Sequence, residues 1–161
     1  MIASLARKRA AWRRRAPRVR RLFGPSWLLL GLAQLAIMTL PFRLIARWLG
    51  RECGQAVFTP VLNGQQTDTA REIGQAIALA ARYTPWASLC HPQALVARFW
   101  LRRYGIPCVV HYGLCKADTQ ALAAHAWVCA GAVAVSGGQS WETFVVVRSF
   151  VCDGRKTWPL M

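Results

Sequence analysis

Cys90 and His125 are the residues whose types and settings could make a nucleophilic enzyme. Cys90 stands in Trp86-Ala87-Ser88-Leu89-Cys90-His91-Pro92-Gln93-Ala94, where an irregular polar stretch gives way to a helical pattern. A thiol at a helix start meets exposed backbone N–H groups and the positive end of the helix dipole, which favour a thiolate. His125 lies in Ala124-His125-Ala126-Trp127-Val128, which opens a run of strand-like segments. An imidazole brought beside the thiol would give a thiolate–imidazolium pair able to attack a carbonyl carbon. The plainer alternative is an inert thiol and a structural histidine, since sequence spacing alone does not establish contact. His91 is a poor base for Cys90, because adjacent helical residues point apart. His111 sits mid-strand and reads as a core or edge histidine.

The elements that must position the pair follow from turn signals and periodicity. Residues 1–25 form an Arg-rich arm ending at Gly24-Pro25, and Ser26 can cap a helix from Trp27 to about Leu40. After Pro41 a short helix from Phe42 to Leu49 ends at Gly50, with Leu44, Ile45, Trp48 and Leu49 on one face. Residues 52–68 read as irregular. Thr69 and Glu72 have capping-box spacing for a helix that runs to about Tyr83. Thr84-Pro85-Trp86 breaks it, and the nucleophile helix starts between Leu89 and His91, with Pro92 in its first turn and Gly105 ending it. Strands are expected over Cys108–Leu114, Ala124–Ala130, Val133–Ser136 and Thr143–Val151. Helices first and an antiparallel sheet afterwards predict an α+β fold.

Composition narrows the setting. A chain of 161 residues, 55% hydrophobic, can bury one core and is unsuited to long internal disorder. The net charge of +15 is uneven: nine Lys and Arg fall between Arg7 and Arg21, and no acid precedes Glu52. Such an arm can be a solvated basic segment or can meet nucleic acid, an anionic membrane or an acidic peptide. The six cysteines form no C-x-x-C pair, and Cys108, Cys115 and Cys129 sit in or beside apolar runs. A reducing, cytoplasmic setting fits them better than a disulfide framework. The apolar stretch Trp27–Leu40 is short for a span and reads as a buried or interfacial helix. No metal or cofactor pattern is present.

The blocks Pro85–Ala94, Leu101-Arg102-Arg103-Tyr104-Gly105-Ile106-Pro107, Tyr112-Gly113-Leu114 and Ala124–Val128 resemble the lasso-peptide leader peptidases. These are microcin-processing-type, transglutaminase-like cysteine proteases. Leu40–Gly50 is similar to their N-terminal helical segment, and Ser136-Gly137-Gly138 with Phe144–Val147 to their closing strands. The likeness covers roughly residues 26 to 151. It implies a transglutaminase/papain-like core over residues 69–161, with the nucleophile helix packed on the sheet and residues 26–68 as a helical segment and connector.

The implied reaction is removal of the leader from a leader–core precursor, with Cys90 as nucleophile and His125 as base. Trp86, Gln93 and Trp127 are the residues expected to contact substrate. The family's third member, an acid about a dozen residues after the histidine, falls here near Ser136-Gly137, where no carboxylate stands. Ser136 or a backbone carbonyl would then orient the imidazole, with Glu142 as the alternative. By resemblance the partners are the precursor peptide, a separate leader-recognition protein and an asparagine-synthetase-like cyclase. A weak contact of the basic arm with the inner membrane surface is the further expectation, and no nucleic acid is expected. Two other functions compete: a transglutaminase-like acyltransferase or amidase, and a non-catalytic basic protein of nucleic acid or membrane surfaces.

Overall fold

A computed structural model describes residues 12–55, 59–116, 122–138 and 141–154. The basic residues Arg7, Lys8 and Arg9 of the arm lie outside the described residues. Helix α1 (Pro17–Thr39) begins ten residues before the expected start at Trp27. Pro17 suits the first turn, where an N–H would be unpaired anyway. The helix runs on through Gly24-Pro25, although an internal proline removes a backbone hydrogen bond. Tertiary burial overrides that cost: Val19, Leu22, Leu30 and Ala33 form a stripe within the core. Ser26 is therefore no cap. It is buried, and its hydroxyl accepts from Trp100 Nε1 at 3.0 Å.

Helix α2 (Phe42–Leu49) has the expected bounds. Gly50 follows at φ 129°, where a Cβ would meet the Val151 carbonyl oxygen at 2.4 Å, so only glycine fits there. Helix α3 (Gly64–Ala81) starts earlier than expected, because Asn63 and Gln66 make the capping box. Gln66 N–H donates to Asn63 Oδ1 at 2.8 Å and Asn63 N–H to Gln66 Oε1 at 3.1 Å. Thr69, expected at the cap, lies inside the helix and donates its hydroxyl to Gln65 O at 2.8 Å. Glu72 pairs instead with Arg18 of α1. Asn63→Ala is expected to cost about 1 kcal/mol. Thermal unfolding would show this as a fall of roughly 2–4 °C.

Helix α4 (Cys90–Arg103) carries the thiol. Its Arg98 is buried and donates Nε–H to Leu49 O at 2.9 Å, tying this helix to α2. The strands are β1 (Arg51–Glu52), β2 (Cys108–Lys116), β3 (Leu122–Ala130), β4 (Val133–Ser136) and β5 (Val145–Cys152). They form one antiparallel sheet in the order β1-β5-β2-β3-β4. Trp141–Thr143 is a 3-10 turn leading into β5, so Thr143 is not strand. Side chains alternate across a strand. Val110, Ala126, Val128 and Phe150 join Ala94, Ala97 and Leu101 in the helix–sheet core. The fold is α+β, with the nucleophile helix packed on the antiparallel sheet as expected.

Candidate active site

Cys90 is the first residue of α4, directly after Leu89 at the cap. No side chain caps this end and no acid lies in its first turn, so no side chain competes for the free N–H groups there. The preceding loop is held by short polar contacts. Thr84 Oγ1 lies 2.9 Å from Ser88 Oγ and donates to the Ala81 or Trp86 carbonyl at 3.0–3.1 Å. Gln93 Nε2 reaches back from the helix to Ser88 O at 2.7 Å. Gln93, expected to contact substrate, is thus a strut of the loop that delivers Cys90. Trp86 lies against α1, its ring 5.0 Å from Trp27 and in contact with Gly31.

Aromatic groups wall the thiol on the sheet side. Burial raises the phenol of Tyr112 well above its ordinary range, and the charge of the neighbouring Cys90 raises it further. The Tyr112 hydroxyl is buried without a hydrogen-bond partner, as is His91 Nε2. These two rings meet edge to face at 5.4 Å, and Phe42 packs on Tyr112 at 5.6 Å. Burial lowers the pKa of His91 and of His111, whose Nδ1 lies 2.9 Å from Ser149 Oγ. Both histidines are therefore held neutral, and protonating them opposes the fold. Their stabilising contribution is full above the ordinary histidine value of about 6.5 and is lost as pH falls through the lowered folded values. The urea midpoint is expected to fall between pH 7 and pH 5; a midpoint constant over that range would contradict the assignment.

His125 lies on β3 opposite Gly113 of β2, next in sequence to Tyr112. Alternation puts Ala126 and Val128 into the helix core and His125 with Trp127 on the other face. His125 Nε2 lies 2.8 Å from the Gly137 carbonyl oxygen. A carbonyl only accepts, so Nε2 carries the proton and Nδ1 keeps its lone pair. The ring stacks on Trp127 at 5.8 Å and 20° and lies 4.9 Å from Phe144. Gly113 makes room for this stack, since a Cβ there would come within 2.9 Å of Trp127 and Phe144. Trp127, also expected to contact substrate, is only 2% exposed and lies between His111, His125 and Trp141. It supports the imidazole and offers substrate almost no surface.

The group on the imidazole is thus a backbone carbonyl. Ser136 is one residue away, but its buried Oγ has no hydrogen-bond partner. Glu142 lies exposed in the 3-10 turn. The structure sets Cys90 beside Tyr112 on the helix face of the sheet and His125, opposite Gly113, on the other face, so it does not bring the two together. It records no hydrogen bond between thiol and imidazole among the described residues. The role of Gly137 carried no sequence signal beyond its place after the histidine, because every residue supplies a carbonyl.

Cys90 heads a helix packed on one face of an antiparallel sheet, and His125 stands on the opposite face of that sheet. The chain belongs to the transglutaminase-like superfamily, whose family description it matches over residues 36–149, well over half its length. That superfamily consists in general of cysteine peptidases and acyltransferases. Comparison with curated proteins and with solved structures returned no match.

Proposed function

We propose that this protein is a cysteine peptidase that removes the leader from a ribosomally made lasso-peptide precursor. The observation that supports it best is the donated hydrogen bond from His125 Nε2 to Gly137 O. It leaves Nδ1 without a proton as a candidate base, on the sheet face opposite the one where Tyr112 neighbours Cys90. In the reaction Nδ1 takes the thiol proton as Sγ bonds to the scissile carbonyl carbon. The C–N bond then breaks, the imidazolium gives its proton to the leaving amine, and the leader remains on Cys90 as a thioester. Water attacks that thioester with Nδ1 as base, releasing the leader acid and restoring the thiol. Backbone N–H groups at the start of α4 are available to the oxyanion. Catalysis needs thiol and imidazole to meet, so the reaction requires β3 to turn His125 toward the helix face when substrate is bound.

The test is incubation of a matched leader–core peptide with the protein and a separate leader-recognition protein. Products whose masses sum to the substrate plus one water identify hydrolysis. A leader–amine adduct would instead identify the acyltransferase reading. An intact precursor after prolonged incubation would reject both for that peptide. The freed core amine is the group an asparagine-synthetase-like cyclase would use, which makes that enzyme the proposed next partner.

A further inference from the structure

The outer face of α1 is apolar where a soluble helix is ordinarily polar. Leu28, Leu32, Leu35 and Met38 recur along one side and are 58–75% exposed. Exposure of apolar groups continues beyond the helix end through Leu40 to Leu44 and Trp48 of α2. A contiguous apolar strip of this kind marks a surface that something covers.

Its surroundings indicate what. Toward the helix start Arg13, Arg14, Arg20 and Arg21 are exposed, and beyond its end Arg43 and Arg47 are exposed. No acid occurs in the chain before Glu52, so along the sequence the strip is flanked by arginines, and Glu52 near its α2 end is paired with Arg148. A shallow groove beside α2 is lined by Phe42, Arg43, Ala46, Arg47, Arg148 and Glu52; the Glu52–Arg148 pair, at 3.3 Å, leaves Arg43 and Arg47 as the cations on the α2 side. Leucines and a tryptophan flanked by arginines are the chemistry of an interfacial helix on an anionic bilayer.

The helix is long and apolar enough to cross a membrane, with a mean hydropathy of 1.5 in its most apolar window. Its other side argues against that course: Val19, Leu22, Ser26 and Leu30 are packed into the domain core. A span would strip the core of this stripe, whereas a helix lying in the interface keeps it.

We infer that the exposed α1–α2 face docks the protein, lying flat, onto an anionic lipid surface. The full-length protein is sedimented with vesicles of phosphatidylcholine alone or with one quarter phosphatidylglycerol, in 0.1 M and 0.5 M salt. Binding is expected to the anionic vesicles only, and to weaken with salt. Leu32→Glu/Leu35→Glu, at exposed positions, should lower that binding at least tenfold with an unchanged circular dichroism spectrum and melting temperature. Arg43→Glu/Arg47→Glu should lower it several-fold. Brominated lipid should quench part of the tryptophan fluorescence, and Trp48→Phe should remove much of that quenching. Absence of binding to anionic vesicles at 0.1 M salt would overturn the inference. Full binding by Leu32→Glu/Leu35→Glu would also overturn it, since the arginines alone would then suffice. A dimer in solution that the same double variant dissolves would assign the face to a second copy instead.

Discussion

Cys90→Ala is expected to lower kcat for precursor cleavage by at least about 10⁴-fold, the scale seen when a nucleophile is removed from a Cys- or Ser-type site. Its stability should stay within about 1 kcal/mol of wild type, because a half-buried thiol heading a helix leaves little cavity. A second variant makes the result specific. His125→Ala removes the base, and groups that act as one unit are strongly non-additive. The double variant Cys90→Ala/His125→Ala should therefore be no slower than Cys90→Ala alone. Losses that multiply would mean that the two residues act in separate steps. Cleavage retained in Cys90→Ala would remove the thiol from the chemistry and the peptidase mechanism with it. The measurement is single-turnover cleavage read by mass, with a thermal melt of each variant alongside.

What the sequence disclosed about this site was local. Pro92 and the apolar spacing from Ala94 to Leu101 announce α4, and Val133–Ser136 emerges with the bounds its flanking glycines predict. Helix α1 is longer than its signals because Pro25 is a strong local breaker, while the burial of Val19 and Leu22 is a tertiary fact. The expected Thr69–Glu72 box does not form, because Glu72 is engaged by Arg18 from another helix; the box that caps α3 is Asn63–Gln66, which lies in the stretch expected to be irregular. The substrate-facing roles given to Trp86, Gln93 and Trp127 rested on position in sequence. The structure shows these side chains against α1, Ser88 O and the imidazole, with Trp86 and Gln93 still partly exposed. Least legible was the imidazole's partner, since a backbone carbonyl acquires such a role only through the path of the loop after β4.

That loop carries the second large effect. Gly137 sits at φ +64°, and a Cβ there would lie 2.4 Å from Ala126 O, 2.9 Å from Trp127 Cβ and 3.1 Å from His125 Nε2. Left-handed backbone costs a residue other than glycine about 1–2 kcal/mol. The clash with Ala126 O is worse, because a backbone oxygen inside the β3 ladder cannot step aside. The loop must move, and the carbonyl that holds His125 moves with it. Gly137→Ala should therefore lose roughly 2–4 kcal/mol of stability, in the range of strained backbone substitutions. It should also lose about 10²-fold or more in kcat, since an orienting hydrogen bond fixes the tautomer that leaves Nδ1 free. Gly137→Asn separates the two causes. Asparagine tolerates a left-handed backbone better than alanine but brings the same Cβ. If space is decisive the two variants fail alike, whereas recovery by asparagine would mean that dihedral strain was the whole cause. Ser136→Ala gives the contrast on the neighbouring residue, where a hydroxyl with no hydrogen-bond partner is removed. Its loss in kcat should be far smaller than that of Gly137→Ala; an equal loss would return the orienting role to the serine.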